Sequence, residues 1–586
     1  MINCVINDKK LKVKEGTTIL EAAKEIGIDI PTLCHMKLPN FNYENKPSSC
    51  RICMVEVVGR PKLCTACSEE ITEGMVVNTD TPRAVEARKI NLELLLSNHP
   101  KDCLVCPKNL NCELQALAEK MGIREIAYKG ERMQHKVDAS SNSIYRNPNK
   151  CVMCRRCETM CNEVQTVGTL SGINRGFDAI VAPAFNIPLA ESSCTFCGQC
   201  VAVCPTGAIV EIDATAKVFN AIKNPKKHVV VQVAPSIRVA IGELFDMEPG
   251  EVTTGKLVTA LRKLGFDVVF DTDFSADLTV MEEASELVDR IKNNKTLPIL
   301  TSCCPAWVRF IEMNYPDMLD IPSSCKSPQI MMGSMVKTYY SNKTGIPAKD
   351  IVMVSVMPCT AKKAEAARSE LGTKDIRDVD YVLSTRELGR MIKLYGIDFN
   401  GLEEGKFDKL MGESSGAGTI FGTTGGVIEA AIRTASEWMT GEELEKIEFE
   451  ELRGLKGIRG AEVKIGDLNL KVGIAHGLGN ARKLLDGIKS KKYDFDAIEI
   501  MACPGGCIGG GGQPYHHGHE EVLLKRQRAL YEIDKNKKIR KSHENPMIKE
   551  IYKNYLGKPY GERAHDLLHT SYIPREKIGS IISVGE

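Results

Sequence analysis

The chain has 586 residues, enough for several domains at roughly 150 residues each. Its formal net charge is +1, from 77 Lys and Arg against 76 Asp and Glu, which excludes a basic field for nucleic acid and a polybasic membrane tether. The sequence shows neither a signal-peptide pattern nor an apolar run long enough to cross a bilayer, so we predict a cytoplasmic protein with no nucleic-acid or membrane partner.

The 23 cysteines fall in tight groups separated by long cysteine-free stretches. A disulfide scaffold would be short and secreted, whereas thiols in a long chain without a signal sequence indicate metal ligands in a reducing compartment. We therefore predict a multidomain α+β and α/β protein that binds metal clusters.

The first predicted domain, residues 1–79, is a 2Fe-2S domain of the β-grasp type. "INCVIND" and "LKVKEG" alternate as strands, and "TTILEAAKEIGIDI" has threonine caps and helical spacing. A C-x15-C-x2-C-x13-C series supplies four thiolates. The predicted ligands are Cys34, Cys50, Cys53 and Cys67. Zinc is the alternative metal, Cys64 competes with Cys67 as a ligand, and Cys4 fits a core position.

The second predicted domain, residues 80–140, contains "HPKDCLVCPKNLNC", an H-x3-C-x2-C-x5-C array. Its predicted ligands are His99, Cys103, Cys106 and Cys112. The array resembles the 4Fe-4S module with one histidine and three cysteines that lies beside a 2Fe-2S domain in hydrogenases and in the large iron-sulfur subunit of respiratory complex I. Imidazole in place of a thiolate removes negative charge and should raise the potential of the cluster.

The third predicted domain, residues 141–210, carries two C-x2-C-x2-C-x3-C runs, the pattern of bacterial two-cluster ferredoxins. In this pattern the fourth cysteine of each run serves the other cluster. One predicted ligand set is Cys151, Cys154, Cys157 and Cys204. The other predicted set is Cys161, Cys194, Cys197 and Cys200. The first three domains together would therefore hold one 2Fe-2S cluster and three 4Fe-4S clusters.

Residues 211–586 form the predicted catalytic domain, a large α/β unit. "HVVVQVAPS", "LPILTSCCP", "DIVMVSVMPC" and "FDAIEIMAC" each run from an apolar strand into a turn, and cysteine follows three of them. Loops at the carboxyl ends of strands can converge. The cysteines in or just after these loops are Cys303, Cys304, Cys359, Cys503 and Cys507. Four thiolates suffice for a cubane, so one cysteine is left over.

"TSCCPAW", "MPCTAKK" and "EIMACPGGCIGGGGQP" resemble the three signature loops of the [FeFe]-hydrogenases, and the whole chain resembles the long clostridial type with four accessory clusters. The resemblance implies an H-cluster, a 4Fe-4S cluster bridged to a diiron subcluster with CO, cyanide and dithiolate ligands. It implies that the cubane ligands are Cys304, Cys359, Cys503 and Cys507, with Cys507 as the bridge. It also implies donors to cyanide at Lys362, Ser236 and Gln329, and packing of Met357 and Met501 against the diiron site.

The same resemblance leaves Cys303 free and makes it a proton relay. "TVMEEASELVDRI" reads as a helix with acidic groups on one face, for which a solvated ion-pair face is the alternative interpretation. The predicted route to solvent runs through Cys303, Glu283, Ser323, Glu286 and Arg290. Beside this route, Cys325 stands where alanine is usual in the family.

We therefore predict an iron-only hydrogenase that interconverts protons and H2 with electrons from ferredoxin, after assembly by hydrogenase maturation proteins. One alternative is the hydrogenase subunit of an NAD(P)H-linked or electron-bifurcating complex, a setting associated with the "CPGGC" variant of the third loop. The other alternative is a non-catalytic electron-transfer or cluster-assembly protein. Cys303, Lys362 and Glu283 argue against that second alternative, because a protein that only holds a cubane does not need them.

Overall fold

The structure is a computed structural model that describes residues 1–373, 375–444 and 447–576. Within these ranges no helix combines the length and the apolar character needed to cross a membrane.

The first domain is a mixed five-stranded sheet with one helix packed on it. Its elements are β1 (Ile2–Ile6), β2 (Lys9–Val13), α1 (Ile19–Glu25), β3 (Met36–Leu38), β4 (Tyr43–Asn45), β5 (Met54–Val57), β6 (Cys64–Thr65) and β7 (Met75–Asn78). The strand order is β2-β1-β7-β5-β6, with β1 antiparallel to β2 and parallel to β7. Thr18 caps α1, because its hydroxyl accepts a hydrogen bond from the Glu21 amide. The predicted strands, helix and fold class are confirmed, and Cys4 lies in the core.

The next two units are small and rich in loops. Their elements are α2 (Pro82–Asn98), α3 (Glu113–Lys120), β8 (Ile144–Arg146), α4 (Arg156–Thr159), β9 (Ser171–Ile173), β10 (Ile180–Ala182), α5 (Gln199–Val203) and β11 (Ile209–Glu211). Strand β8 pairs with β11, and β9 pairs with β10, both antiparallel. Strands this short bury little apolar surface, so these units depend on their cluster ligands and their neighbours for stability.

The remaining chain is built around two four-stranded sheets. The first half contains α6 (Thr215–Ile222), β12 (His228–Val233), α7 (Thr254–Leu264), β13 (Val268–Asp271), α8 (Thr272–Lys292), β14 (Ile299–Leu300), α9 (Pro305–Asn314), α10 (Pro328–Met335), α11 (Ser341–Thr344), β15 (Ile351–Met357), α12 (Ala361–Ala366), β16 (Tyr381–Ser384) and α13 (Thr385–Leu394). The second half contains α14 (Gly416–Ile420), α15 (Gly426–Thr440), β17 (Ile458–Ile465), β18 (Leu468–His476), α16 (Leu478–Lys489), β19 (Ala497–Met501), α17 (Glu520–Asn536), α18 (Pro546–Ile551) and α19 (Glu562–Leu568).

The four strands predicted to precede the catalytic loops are β12, β14, β15 and β19. Strands β12 and β15 are parallel neighbours in the sheet ordered β13-β12-β15-β16, and β14 and β19 are parallel neighbours in the sheet ordered β14-β19-β18-β17. Parallel neighbours end at the same edge, so each sheet brings two of the loops together. Helix α8 contacts α10, α14 and α15 and is buried along most of its length.

Candidate functional site

The cysteines of the first domain gather in its interior as the spacing predicts. Cys34 shares thiol hydrogen bonds with Cys50 and Cys67, and Cys53 shares one with Cys67. These contacts lower the pKa of the Cys34 thiol far below its usual value. Cys64 instead lies on β6, opposite Val55 of β5. The placement favours Cys67 over Cys64 as the fourth ligand, which stays a prediction.

The one-histidine array is the most exposed of the predicted cluster sites. His99 is the C-cap of α2, and burial lowers the pKa of its imidazole to about 4, so the ring is neutral as a ligand must be. Its Nδ1 atom is buried without a hydrogen-bond partner. Cys112 begins α3, whereas Cys103 is exposed to solvent. An unpartnered buried imidazole nitrogen is a group that a metal ion would satisfy.

The two ferredoxin-type runs surround two separate cavities of about 20 Å³ each. One cavity is lined by Cys151, Cys154, Cys157 and Cys204. The other is lined by Cys161, Cys194, Cys197 and Cys200. The fourth cysteine of each run therefore lies with the first three of the other run, which is the grouping that the crossed pattern predicts. Ligation of iron by these thiols stays a prediction.

A cavity of about 70 Å³ lies at the carboxyl ends of the catalytic strands. All ten residues that the family resemblance places around the H-cluster line it: Ser236, Cys303, Cys304, Gln329, Met357, Cys359, Lys362, Met501, Cys503 and Cys507. They come from loops and helix starts separated by up to 271 positions, between Ser236 and Cys507. The two sheets thus bring together side chains that the sequence places far apart.

The adjacent cysteines occupy different electrostatic surroundings. Cys304 is the N-cap of α9, and its Sγ accepts a hydrogen bond from the Ala502 amide at 3.4 Å. Burial raises the pKa of the Cys304 thiol, while this and other backbone N–H groups act in the opposite direction. At Cys303, burial and then Glu283 raise the pKa of the thiol well above its usual value. The pKa of both thiols is raised, but backbone N–H groups oppose the effect of burial at Cys304, which favours Cys304 over Cys303 as the thiolate ligand.

Lys362 brings a buried positive charge to the cavity. Its Nζ donates to the Cys303 carbonyl at 3.0 Å and to Glu365 Oε2 at 2.9 Å. The Glu365 carboxylate and the Cys303 thiol both raise the pKa of the ammonium, against the effect of burial. Sequence reasoning missed Glu365, although its position three residues after Lys362 on a helix is a usable signal.

Two further polar side chains of the cavity, Gln329 and Ser236, are held by the protein. Gln329 Nε2 donates to Glu365 Oε2 at 3.0 Å, and its Oε1 is buried without a partner. The Nε2 atom also donates to the Lys362 carbonyl at 3.2 Å, so the atom predicted to donate to cyanide is already engaged. The Ser236 hydroxyl accepts from Gln513 Nε2 at 3.2 Å, which leaves its own proton available for a ligand. Gln513 is a second supporting residue that sequence reasoning missed.

The side chains of α8 in the predicted proton route are buried, so the alternative of a solvated face is wrong, although its helical ion pair between Glu286 and Arg290 is present. Ser323 Oγ donates to Glu286 Oε2 at 2.8 Å, and Arg290 Nη2 donates to Glu286 Oε1 at 2.6 Å. Burial, followed by repulsion from Glu286, raises the pKa of Glu283 to about 8. The Oε1 atom of Glu283 has no hydrogen-bond partner. Glu283 is therefore a protonated buried carboxyl near neutral pH, beside the Cys303 thiol whose pKa it raises.

A further set of polar groups, missed by sequence reasoning, continues from this route. Ser324 Oγ lies 3.5 Å from Glu286 Oε2 and 2.8 Å from His569 Nδ1. His569 Nε2 lies 2.9 Å from Glu282 Oε2. These residues belong to α8, to the segment before α10 and to the end of α19, so only the tertiary fold brings them together.

The central cavity fits a cluster of the H type. Its thiols offer soft ligands, its buried ammonium offers a positive charge, and Gln329 Oε1 is buried without a partner. Gly506 has a φ of +93°, and a side chain there would meet the Thr424 backbone nitrogen at 2.7 Å. The third signature loop therefore needs glycine to approach the neighbouring chain this closely.

Comparison with protein-family models matches five segments of the chain. Residues 227–511 match the iron only hydrogenase large subunit, C-terminal domain, and residues 520–575 match the iron hydrogenase small subunit. Residues 1–82 match a 2Fe-2S iron-sulfur cluster binding domain, and residues 187–210 match a 4Fe-4S binding domain. Residues 88–127 match the NADH-ubiquinone oxidoreductase-G iron-sulfur binding region. The predicted kinds of cofactor and the order of domain types are confirmed, whereas the predicted domain boundaries stay predictions.

The chain is similar over its full length to characterised hydrogenases. It is 56% identical to the NADP-reducing hydrogenase subunit HndD of Solidesulfovibrio fructosivorans, over 99% of this chain and 100% of that protein. It is 42% identical to iron hydrogenase 1 of Clostridium pasteurianum, over 98% and 100%. A solved [FeFe]-hydrogenase HydA1 from Chlamydomonas reinhardtii matches 62% of this chain and 100% of its own, at 43% identity and a TM-score of 0.57. The chain belongs to the iron-only hydrogenase family.

Proposed function

We propose that this chain interconverts protons, electrons and H2 at the central cavity, and that its own residues divide into cluster ligands, a proton route and an electron route. The observation that carries this assignment is the cavity itself, at which five cysteines and Lys362 meet. One of the lining residues, Cys303, lies beside the buried carboxyl of Glu283.

The ligands of the proposed cubane are Cys304, Cys359, Cys503 and Cys507. When bound, the H-cluster would supply the redox centre at which protons and electrons combine. Lys362 and Ser236 would hold the anionic cyanides, since one is a buried ammonium and the other has a free hydroxyl proton. Met357 and Met501 line the same cavity with soft, polarizable sulfur.

Cys303 holds the proton nearest the reaction, on its Sγ atom. Glu283 gives and takes that proton, because a carboxyl with a pKa of about 8 is protonated at neutral pH yet can lose its proton at a modest free-energy cost. The Ser323 hydroxyl already donates to Glu286, so it can pass a proton on by accepting one from the Glu283 side. Arg290 Nη2 donates to Glu286 Oε1 at 2.6 Å at the outer end of the route.

Electrons would enter through the accessory clusters from a reduced protein partner. Beside the exposed thiol of Cys103, the side chains of Leu104, Val105 and Leu110 are 93%, 80% and 87% exposed. Apolar side chains this exposed are expected where another protein docks. Because HndD is named a subunit of an NADP-reducing hydrogenase, we propose a partner subunit as the donor, with free ferredoxin as the second candidate.

The location and assembly of the protein belong to the same proposal. A cytoplasmic location fits because reduced thiolates persist there. Hydrogenase maturation proteins would install the diiron subcluster, because the cavity lining offers only the Cys303 thiol beyond the four cubane ligands, too few for spontaneous assembly.

Infrared spectroscopy of the matured protein tests the assignment of the cavity. Protein produced with the maturation proteins should show bands of metal-bound CO and cyanide and should evolve H2 from reduced viologen. Protein produced without them should contain the accessory clusters and show neither property. Fully iron-loaded, maturation-treated protein that lacks both the bands and H2 evolution would contradict the proposal.

The docking surface is tested by removing its apolar side chains. Leu104→Ser together with Val105→Ser should raise the KM for the protein donor and leave H2 evolution from viologen unchanged. Leu394→Ser is a matched control, because Leu394 is 74% exposed on the catalytic domain. An equal change of KM in the control would contradict docking at this surface.

A further inference from the structure

Three side chains with metal-binding atoms meet in the interior beside the proton route. They are Glu286 of α8, Cys325 of the segment before α10 and His569 at the end of α19, and all three are buried. One carboxylate oxygen, the thiol sulfur and one imidazole nitrogen all lie within 4.8 Å of one another. Cys325 and His569 are also partners in an antiparallel β-bridge, so the backbone fixes their separation.

The histidine of this group is oriented as a ligand would be. Glu282 Oε2 accepts a hydrogen bond from the Tyr560 amide at 2.8 Å and lies 2.9 Å from His569 Nε2. Because Nε2 faces a carboxylate oxygen, the neutral form of the ring carries its proton on Nε2 and presents the lone pair of Nδ1. The Nδ1 atom lies 4.0 Å from Cys325 Sγ. A carboxylate behind the imidazole is the usual outer support of a metal-bound histidine.

The charges of the group also suit a divalent cation. Arg290 pairs with the Oε1 atom of Glu286 and leaves Oε2 on the side of Ser323 and Ser324. A carboxylate and a thiolate together balance a charge of two, and the neutral imidazole adds none. Sulfur and nitrogen ligands with one oxygen select zinc over magnesium or calcium.

We propose that Glu286, Cys325 and His569 form a binding site for Zn²⁺, separate from every iron-sulfur centre of the chain. On binding, the Cys325 S–H bond breaks and an S–Zn bond forms, the proton leaves to solvent, and no electron is transferred. The Ser324 hydroxyl gives up its contact with His569 Nδ1 and can complete a tetrahedral set, as can a water molecule.

Occupation of this site would stop proton delivery, a consequence that rests on the proposed function. Glu286 Oε2 accepts the hydrogen bond from Ser323, and a zinc ion on that carboxylate would remove it from the route. The binding of zinc itself does not depend on the route. The two statements can therefore fail separately.

The test measures zinc bound to the iron-loaded holoenzyme after dialysis against a zinc buffer. Wild type should retain one zinc per chain that Cys325→Ala and His569→Gln lose, with affinity lower by at least about 100-fold, while iron content stays equal. The zinc absorption edge should show one sulfur at about 2.3 Å and nitrogen or oxygen at about 2.0–2.2 Å. Equal zinc content in wild type and Cys325→Ala, or a zinc shell without sulfur, would overturn the site.

His543→Gln is the matched control. His543 belongs to a second, partly exposed group with Glu437 and Glu544, in which Lys541 already pairs with both carboxylates. This variant should bind zinc as wild type does. Loss of the zinc in His543→Gln and its retention in His569→Gln would overturn the assignment.

Assays of hydrogen evolution distinguish zinc binding at this site from the inferred block of proton delivery. Zinc should inhibit wild type reversibly, with recovery on addition of a chelator, and should leave Cys325→Ala active. Zinc bound through Cys325 without inhibition would uphold the site and overturn proton passage through Glu286. Inhibition that is equal in wild type and Cys325→Ala would overturn the inferred effect of this site.

Discussion

Replacement of Glu283 by glutamine should make the protein more stable at raised pH and, at the same time, less active. Burial, followed by repulsion from Glu286, raises the pKa of Glu283 from 4.5 to about 8. In the folded state the carboxyl therefore keeps its proton at pH values at which the unfolded chain has lost it. The folded state binds more protons across that interval, so its stability falls as the pH rises from 4.5 to about 8.

The size of the effect follows from the same interval. Each pKa unit corresponds to about 1.36 kcal/mol of free energy. The difference of 3.5 between 8 and 4.5 therefore lowers the free energy of unfolding of wild type by roughly 5 kcal/mol at or above pH 8, relative to acid pH. Glutamine has nearly the same shape and does not ionise. Glu283→Gln should therefore match wild type in acid and become the more stable protein as the pH rises. Its turnover should nevertheless fall by at least about 10²-fold, because an amide cannot pass the proton.

The assay records melting temperature and H2 evolution of iron-loaded wild type and Glu283→Gln over a series of pH values. The infrared difference between the two proteins should contain a protonated carboxyl band that disappears with a midpoint near pH 8. Glu286→Gln is the control, since it loses the ion pair with Arg290 and should destabilise the protein. Parallel melting profiles for wild type and Glu283→Gln, or full turnover in the variant, would refute the reasoning.

Three further predictions concern single side chains of the cluster sites. Cys303→Ala should keep all iron and lose at least about 10²-fold in turnover, whereas Cys304→Ala should lose iron from the catalytic centre; equal iron loss in the two would contradict their division of roles. Lys362→Ala should lower the free energy of unfolding by about 3–5 kcal/mol, because it leaves the Glu365 carboxylate buried without its ion pair. Addition of Glu365→Ala to this variant should restore part of the lost melting temperature. His99→Cys should lower the midpoint potential of its cluster in a redox titration, and an unchanged potential would argue against ligation by this residue.

The sequence was most informative where a local pattern coincides with a strand end. Four apolar runs predict β12, β14, β15 and β19, and cysteines in or just after the following loops mark where those loops meet. The grouping of the ferredoxin-type thiols also follows from the two C-x2-C-x2-C-x3-C runs, because that pattern assigns the fourth cysteine of each run to the other cluster. The division of the four catalytic strands between two sheets was beyond this reasoning, since strand order depends on packing that no single segment encodes.

No sequence pattern indicated the residues that reach these sites from distant parts of the chain. His569 lies more than 240 positions from Cys325, and its neighbours near the end of α19 give no hint of a buried role. The roles of Cys303 and Cys304 were assigned by resemblance, and the structure supplies the physical reason. Cys304 stands at the N-cap position of α9 and its thiol accepts a hydrogen bond from the Ala502 amide, whereas the Cys303 thiol adjoins the buried Glu283 carboxyl.

The acidic side chains around α8 explain why Glu283 stands apart. Most of its buried neighbours have compensating partners: Asp271 and Asp273 pair with Arg238, Asp277 accepts from Ser415, Ser542 and Asn545, Glu282 accepts from Tyr552 and the Tyr560 amide, and Glu286 pairs with Arg290. Glu283 has an oxygen without a hydrogen-bond partner and a carboxyl that burial keeps protonated. An unsatisfied buried oxygen costs about 1–3 kcal/mol, and an alanine or a leucine at this position of the helix would avoid that cost. A carboxyl retained here, between the Cys303 thiol and Glu286, is therefore better explained by proton transfer than by stability.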